Sequence, residues 1–188
     1  MTSLICGSLA FDTIMSFGGR FSEALLADQL HKINVAFLVP SMRREFGGCA
    51  GNIAYNLKLL GGDPIIMATV GGDAAPYMDR LSQLKIDASH IRQIDQAFTA
   101  QAMITTDQAN NQITAFHPGA MGESHLNQVS TVVAERSKNA KGAAKFGIVA
   151  PDGRQGMWEH CHQLAEAGIP FVFDPGQGLP MFNGPELL

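Results

Sequence analysis

A glycine-rich loop that leads into a helix is the stretch of this sequence best suited to meet a small polar ligand. Gly47 and Gly48 open the loop, Asn52 closes it, and apolar residues at helical spacing follow over 53–60. Glycines let a backbone approach a ligand closely because they carry no Cβ atom, and a helix N-terminus offers free N–H groups. The alternative is that the glycines serve only the turn. The loop fits neither a P-loop nor a dinucleotide fingerprint, because no G-K-[ST] follows and G-x-G-x-x-G is absent.

An acidic residue follows the first apolar run of the chain. Residues 4–11 predict a buried first strand, and Asp12 comes at its carboxyl end. Ligands of open α/β sheets bind beyond the carboxyl ends of strands, so a carboxylate here could accept hydrogen bonds from a ligand. Ser8 would point to the same side of that strand, since it has the same parity as Asp12. The alternative is that Asp12 only caps a turn.

Three further positions are candidates for ligand binding or local structure. Phe116 stands near the base of a predicted hairpin and could cover a ligand, although core packing is the commoner role of a phenylalanine. Asp174 follows another predicted strand, 169–174, and opens a turn rich in glycine and proline. Asp73 is predicted to cap the helix over 74–84. His160 and His162 would point to different sides of a helix, which predicts solvated side chains and no metal site.

The remaining pattern predicts the elements that position these residues. Apolar runs over 64–70, 146–150 and 169–174 alternate with helices predicted over 74–84, 126–141 and 152–167, which favours a parallel sheet with right-handed crossovers. Residues 13–45 and 91–119 instead contain short β segments, including a hairpin of 100–106 with 112–116. We expect these two segments to pair, because an isolated hairpin is marginally stable. The expected division is an α/β core of 1–12, 46–90 and 120–188, with a β lid of 13–45 and 91–119.

Composition excludes several classes of protein. The chain has 188 residues, of which 46% are hydrophobic and 16% charged, as in a globular domain. A net charge of −4 without a basic stripe argues against nucleic acid as a partner. Three cysteines without C-x-x-C spacing favour a reduced, intracellular protein. No signal peptide and no apolar run of about 20 residues is present, so we expect a soluble cytoplasmic protein with no membrane partner.

The glycine pattern as a whole resembles a known family. Gly47-Gly48, Gly51-Asn52, Gly61-Gly62 and Gly71-Gly72-Asp73 are spaced as in the N-terminal signature of the ribokinase-like (PfkB-type) sugar and nucleoside kinases, and the resemblance runs from Leu4 to Leu188. It implies a Rossmann-type, mainly parallel sheet with helices on both faces and a small β-sheet lid. It also implies transfer of the ATP γ-phosphoryl group to a hydroxyl of a sugar or nucleoside. The substrate-binding residues that it implies are Ser8, Asp12, Gly47, Gly48, Asn52, Phe116 and Gln177.

Within that family the chain looks most like the microbial adenosine kinases. The similarity lies in the glycine loop with Cys49, in Phe116 and in the turn that contains Gln177, which faces the purine in those enzymes. Gly178 departs from the pattern, since a second glutamine would be expected there.

The resemblance also implies parts that this sequence does not contain. Family members carry an N-x-x-E motif linked to magnesium and phosphate, and a G-A-G-D-like loop that holds the catalytic Asp and the anion hole. No G-x-G-D or D-T-x-G stretch occurs here. We therefore expect the full-length enzyme to use ATP and Mg²⁺, with the catalytic Asp beyond Leu188 and no metal site in this chain, and this chain alone to be inactive.

The sequence leaves two further hypotheses about function and one about the oligomeric state. A non-catalytic ligand-binding or oligomerisation module from a truncated kinase is the open alternative. A nucleotide-cofactor oxidoreductase is disfavoured by the missing fingerprint. Because relatives often pair their lids, the resemblance implies a homodimer through the β lid. The alternative is that this face of the lid packs on the chain's own helices.

Overall fold

The chain folds into two β-sheets, which a computed structural model describes for residues 1–138 and 142–187. The strands are β1 (Thr2–Cys6), β2 (Ala10–Ser16), β3 (Ser41–Gly47), β4 (Asp63–Gly71), β5 (Asp87–Ile94), β6 (Ala100–Thr106), β7 (Gln112–His117), β8 (Phe146–Val149) and β9 (Phe171–Phe173). The helices are α1 (Phe21–Ala24), α2 (Cys49–Leu59), α3 (Ala75–Gln83), α4 (Val129–Lys138), α5 (Arg154–Glu166) and α6 (Gly184–Leu187). Short 3₁₀ helices span Ala27–Lys32, Gly119–Leu126 and Gly176–Met181.

The larger sheet is parallel and covered on both faces. Its strand order is β5-β4-β1-β8-β9, so the chain builds outwards from β1 in both directions. Ile5 and Ile66 pack in one core with α2 and α3, whereas Leu4 and Ile65 pack in the other with α4 and α5. This alternation explains why β1 and β4 are apolar without interruption. The predicted α/β fold with a parallel sheet and helices on both faces is confirmed.

The smaller sheet joins β2 and β3 to β6 and β7, although α2, β4, α3 and β5 lie between β3 and β6 in the sequence. Its order is β3-β2-β6-β7, in which β2 and β6 run parallel and the other pairs are antiparallel. The predicted hairpin of β6 and β7 is present. The border between the sheets lies elsewhere than expected, because Ala10–Asp12 belong to the smaller sheet and β5 pairs with β4 in the larger one.

Two expected strands differ in the structure, each for a physical reason. The apolar run 4–11 is not one strand: the chain leaves the larger sheet after Cys6 and enters the smaller one at Ala10, a break that continuous hydrophobicity conceals. Within the expected β segment 13–45, the apolar residues 34–39 do not form a strand. Phe37 packs instead against Phe17 and Phe21, with ring centroids 4.9 and 5.0 Å away, so its burial comes from an aromatic cluster at the tip of the lid.

The helices also correct three details. Helix α2 ends at Leu59, so Leu60 is 85% exposed, and the buried stripe of the helix contains Ala50, Gly51 and Ala54. The predicted helix over 126–141 is described as α4 up to Lys138, while 139–141 lie outside the described residues. His160 is fully buried rather than solvated, because α5 turns it towards the 3₁₀ helix Gly119–Leu126 and the loop after it, with Nε2 3.2 Å from the Asn127 carbonyl oxygen. None of the helices within the described ranges has the length and apolar character needed to span a bilayer.

Candidate substrate-binding site

The candidate site begins where the chain leaves β1, at the carboxyl edge of the larger sheet. Ser8 fixes the start of the glycine loop: its hydroxyl oxygen accepts a hydrogen bond from the Cys49 N–H at 3.2 Å, and its carbonyl accepts one from the Ala50 N–H at 3.0 Å. The first two amides of α2 are thus already bonded within the protein. The N-terminus of α2 is therefore less available to an anion than the sequence suggested.

Asp12 lies directly against the first glycine of the loop. A Cβ atom at Gly47 would come within 2.7 Å of all three atoms of the Asp12 carboxyl group. Asp12 stands on β2 opposite Glu45 of β3. Burial raises the pKa of Asp12, and the charge of Glu45 raises it further. The lack of a side chain at residue 47 therefore makes room for the acid itself.

Phe116 shares a face and a cross-strand row with Asp12. In register across the smaller sheet stand Glu45, Asp12, Ala102 and Phe116. Since neighbouring strands are about 4.8 Å apart, Asp12 and Phe116 are about 10 Å apart. Ala102 between them is small, and Phe116 is 51% exposed. The row therefore has the Asp12 carboxyl group at one position and an accessible aromatic ring two strands away.

Gly48 and Asn52 have different roles in the loop. Gly48 has a φ of +88°, and a Cβ atom there would lie 2.5 Å from the Ser8 carbonyl oxygen, so this position requires glycine for backbone reasons. Asn52 is exposed, and within the described residues its side-chain amide makes no hydrogen bond, which leaves the amide available to a ligand. The structure thus brings Asp12, Gly47, Gly48 and Ser8 together, with Asn52 on the first turn of α2.

The pKa of Cys49 depends on burial and on the charged groups around the glycine loop. Burial raises the pKa of its thiol, the hydrogen bond with Ser8 partly opposes this, and the carboxylates of Asp174, Asp152 and Asp12 raise it again. Acids that follow β8 and β9 therefore lie close to the same loop as the acid on β2. The negative charge beside this loop suits a neutral, hydroxyl-bearing ligand better than an anion.

Gln177 lies in the 3₁₀ helix Gly176–Met181, after the turn in which Asp174 Oδ1 accepts a hydrogen bond from the Gly176 N–H at 3.1 Å. Its side chain is exposed, and in the described part of the chain no hydrogen bond joins it to the other candidates. Asp152 is a group that the sequence did not single out. It is 2% exposed, and burial raises its pKa to about 8, although the Gly153 N–H donates to Oδ1 at 3.0 Å.

Asp73 does not cap α3 as predicted. The helix begins after Ala74 without a side-chain cap, while Asp73 Oδ1 accepts a hydrogen bond from the Thr99 N–H at 2.7 Å and Oδ2 accepts one from Gln101 Nε2 at 3.3 Å. Asp73 thus ties the turn after β4 to the start of β6. A capping residue and a tether look alike in sequence, because the partner is 26 residues away.

The described residues do not provide a metal site. Across 1–138 and 142–187, no three His, Cys, Asp or Glu side chains are grouped so that they could hold a metal ion.

Comparison with known proteins shows the family and the fold of the chain. The sequence profile of the pfkB family of carbohydrate kinases matches residues 14–180. The chain belongs to the pfkB family. Its ribokinase-like fold is shared with a Burkholderia thailandensis nucleoside kinase solved in complex with inosine, which is 56% identical at a TM-score of 0.79 over 98% of this chain and 56% of that one.

Two further comparisons with pfkB family proteins concern an archaeal nucleoside kinase. The curated Methanocaldococcus jannaschii nucleoside kinase is 31% identical over 157 residues, which are 82% of this chain and 48% of that protein. The crystal structure of a nucleoside kinase from the same organism is 26% identical with a TM-score of 0.77, over 99% of this chain and 56% of that one. The chain thus spans about half the length of these relatives.

Proposed function

We propose that the protein transfers the γ-phosphoryl group of ATP to a hydroxyl of a nucleoside, and that the residues described here bind the nucleoside. The observation that carries this proposal is the cross-strand row in which Asp12, seated on Gly47, faces the same side as Phe116. A nucleoside has vicinal hydroxyls at one end and a flat base at the other. The row offers an acceptor for the first and an aromatic face for the second.

The chemistry of each group follows from its surroundings. The Asp12 carboxylate accepts hydrogen bonds from two ribose hydroxyls, Asn52 adds an amide that can donate and accept, and Phe116 stacks on the base. The neighbouring carboxylate of Asp174 disfavours a phosphorylated substrate. The inosine complex of the Burkholderia relative supports a nucleoside over a free sugar. Adenosine, which the sequence favoured, and inosine are both candidates.

Membership of the pfkB family implies that the full-length protein uses ATP and a divalent metal. The described residues offer no group of three side chains that could hold the metal, and we assign them to substrate binding. Their contribution is to bind the nucleoside, to orient its ribose and to exclude water from it.

Calorimetry on the full-length protein with adenosine, inosine, ribose and fructose tests the proposal, together with a coupled assay of ATP turnover. We expect a nucleoside to bind at least tenfold more tightly than ribose. Phe116→Leu should weaken nucleoside binding and leave ribose binding unchanged. Equal affinity for ribose and nucleosides would contradict the proposal, and nucleoside binding without ATP turnover would favour the non-catalytic alternative.

We further propose a cytoplasmic homodimer that forms through the lid. The face of the smaller sheet opposite Asp12 carries Met42, Met103 and Ile113, which are 69%, 47% and 43% exposed. These side chains come from three strands of one sheet and form an apolar surface that a second copy could cover. All three cysteines are free thiols, as is usual in a reducing compartment.

A further inference from the structure

The glycine loop is held from behind by a tyrosine of α3. We propose that Tyr77 is a positioning residue that keeps Gly47 beneath the Asp12 carboxylate, so that α3 sets the geometry with which the lid binds substrate. The role in substrate binding rests on the proposed function, whereas the role in holding Asp12 can be tested without any ligand.

The central contact is a single short hydrogen bond. The Tyr77 hydroxyl donates to the Gly47 carbonyl oxygen at 2.6 Å, and both residues are buried. Burial raises the pKa of Tyr77 far above its usual value, and the charge of Asp12 raises it further, so the hydroxyl stays protonated and acts as a donor. Gly47 is thus fixed on one side by Tyr77 and bears the Asp12 carboxyl group on the other.

The tyrosine ring holds the two strands that carry this pair. Its centroid lies 5.7 Å from that of Phe11 and 5.2 Å from that of Phe46, in tilted and edge-on arrangements. Phe11 precedes Asp12 on β2, and Phe46 precedes Gly47 on β3. Because side chains alternate along a strand, the two rings lie on the rear face of the sheet while Asp12 lies on the front. One side chain therefore sets the spacing of both strands.

Asp73, one helical turn before Tyr77, anchors a third strand in the same way. Its hydrogen bonds with Thr99 and Gln101 hold the start of β6, and its Oδ2 lies 3.8 Å from the Arg44 guanidinium of β3. Strand β6 continues to Ala102, which separates Asp12 from Phe116. The turn before α3 and its first helical turn thus fix the base of every strand that contributes to the row except β7.

Gly51 provides a structural reason for the close approach of Tyr77. A Cβ atom at this position would overlap the Tyr77 hydroxyl and would come 3.1 Å from the ring carbon that bears it. Gly51 lies on the buried face of α2 and not in a turn, so no turn requires its small size. Besides Gly47 and Gly48, the glycine-rich stretch therefore contains a third glycine, Gly51, whose small size leaves room for the Tyr77 hydroxyl.

The test compares the only two tyrosines of the chain. Tyr77→Phe removes the hydroxyl and keeps the ring, and Tyr55→Phe, at a partly exposed position on α2, is the matched control. In the full-length protein we expect Tyr77→Phe to raise the Kd for adenosine or inosine at least tenfold, with the KM for ATP unchanged. Tyr55→Phe should change neither. An unchanged nucleoside Kd in Tyr77→Phe would overturn the proposal.

A second measurement needs no substrate and separates this inference from the proposed function. The pKa of Asp12 is measured by carboxyl-carbon NMR in the wild type and in both variants; the neighbouring ionisable groups are Glu45, Cys49 and Tyr77 itself. Tyr77→Phe should lower the pKa of Asp12, because a released loop lets water reach the carboxyl group. If the wild type binds no nucleoside, the proposed function fails, and an unchanged Asp12 pKa would then overturn the positioning role as well.

A double-mutant cycle with Gly51 adds a distinct prediction. Gly51→Ala should weaken nucleoside binding at least tenfold in the wild type, since the new methyl group displaces the Tyr77 hydroxyl. In the Tyr77→Phe background the same substitution should cost less than threefold, because that hydroxyl is gone. Additive effects of the two substitutions would contradict a shared action through the Gly47 carbonyl.

Discussion

The carboxyl group of Asp12 occupies the space that a Cβ atom of Gly47 would need. The absence of a side chain at Gly47 therefore makes room for an acid of the neighbouring strand. This relationship joins two positions 35 residues apart that lie on paired strands β2 and β3, and it yields substitutions whose effects on binding and on stability can be separated.

Asp12→Ala should abolish nucleoside binding while the protein stays folded. Hydrogen bonds to a charged group contribute about 1.5–3 kcal/mol each, which corresponds to roughly a tenfold to hundredfold loss of affinity per bond. Asp12→Asn keeps the shape and one acceptor, so it should lose less than Asp12→Ala. Calorimetry measures the affinity and thermal unfolding checks the fold; unchanged affinity would remove Asp12 from the site.

Gly47→Ala should weaken nucleoside binding more than it destabilises the fold. The atoms nearest to its new methyl group are those of the Asp12 carboxyl group, which can rotate away from its position. The matched control is Gly61→Ala, which has open space but a φ of +80°. This control should cost about 1 kcal/mol of stability and leave binding intact. Equal binding by Gly47→Ala and wild type would mean that the Asp12 position is not critical.

Gly48→Val tests whether the backbone conformation requires glycine at this position. A side chain at residue 48 meets the backbone of Ser8 and Ala10 at a positive φ. We therefore expect Gly48→Val to lower the melting temperature strongly, whatever its effect on binding.

The pH dependence of nucleoside binding should move when the neighbour of Asp12 loses its charge. Binding requires the carboxylate, so affinity should fall as the pH drops through the raised pKa of Asp12. Glu45→Gln removes a like charge, which lowers the pKa of Asp12 and should shift the acidic limb of the affinity profile to lower pH. Calorimetry across a pH series measures this shift, and a shift to higher pH would contradict the assignment.

The sequence predicted the parts of the fold that depend on local pattern. Strands β4 and β8 are identified by their apolar runs, and the hairpin of β6 and β7 by the turn-forming residues between its strands. None of these features depends on residues distant in the sequence. What escaped prediction depends on distant partners: Asp73 tethers Thr99, His160 is buried by a 3₁₀ helix, and the break between β1 and β2 lies within an unbroken apolar run. Tyr77 had no local signal either, since its hydroxyl bonds a carbonyl 30 residues earlier.

Stability should fall as the pH rises from about 4 to about 8 because of Asp152. Its folded pKa of about 8 lies far above the ordinary 3.8, so in this window the folded state holds a proton that the unfolded state has lost. The slope is at most about 1.4 kcal/mol per pH unit. Asp152→Asn should flatten it, whereas Asp28→Asn, at an exposed residue, should not. Urea unfolding at several pH values measures the slope, and an identical slope in Asp152→Asn would contradict burial of the acid.

Met103→Lys should convert a lid dimer into a monomer without unfolding the lid. Met103 is 47% exposed on the rear face, so a lysine there can reach water in the monomer but would be buried without a partner in a dimer. Phe37 is unsuitable for this test, because it packs within the aromatic cluster of the lid tip and its replacement would damage the lid itself. Leu60→Lys, at an 85% exposed position on the larger domain, is the matched control. Light scattering at tens of micromolar should show a dimer for the wild type and the control and a monomer for Met103→Lys; a monomeric wild type would rule the lid dimer out.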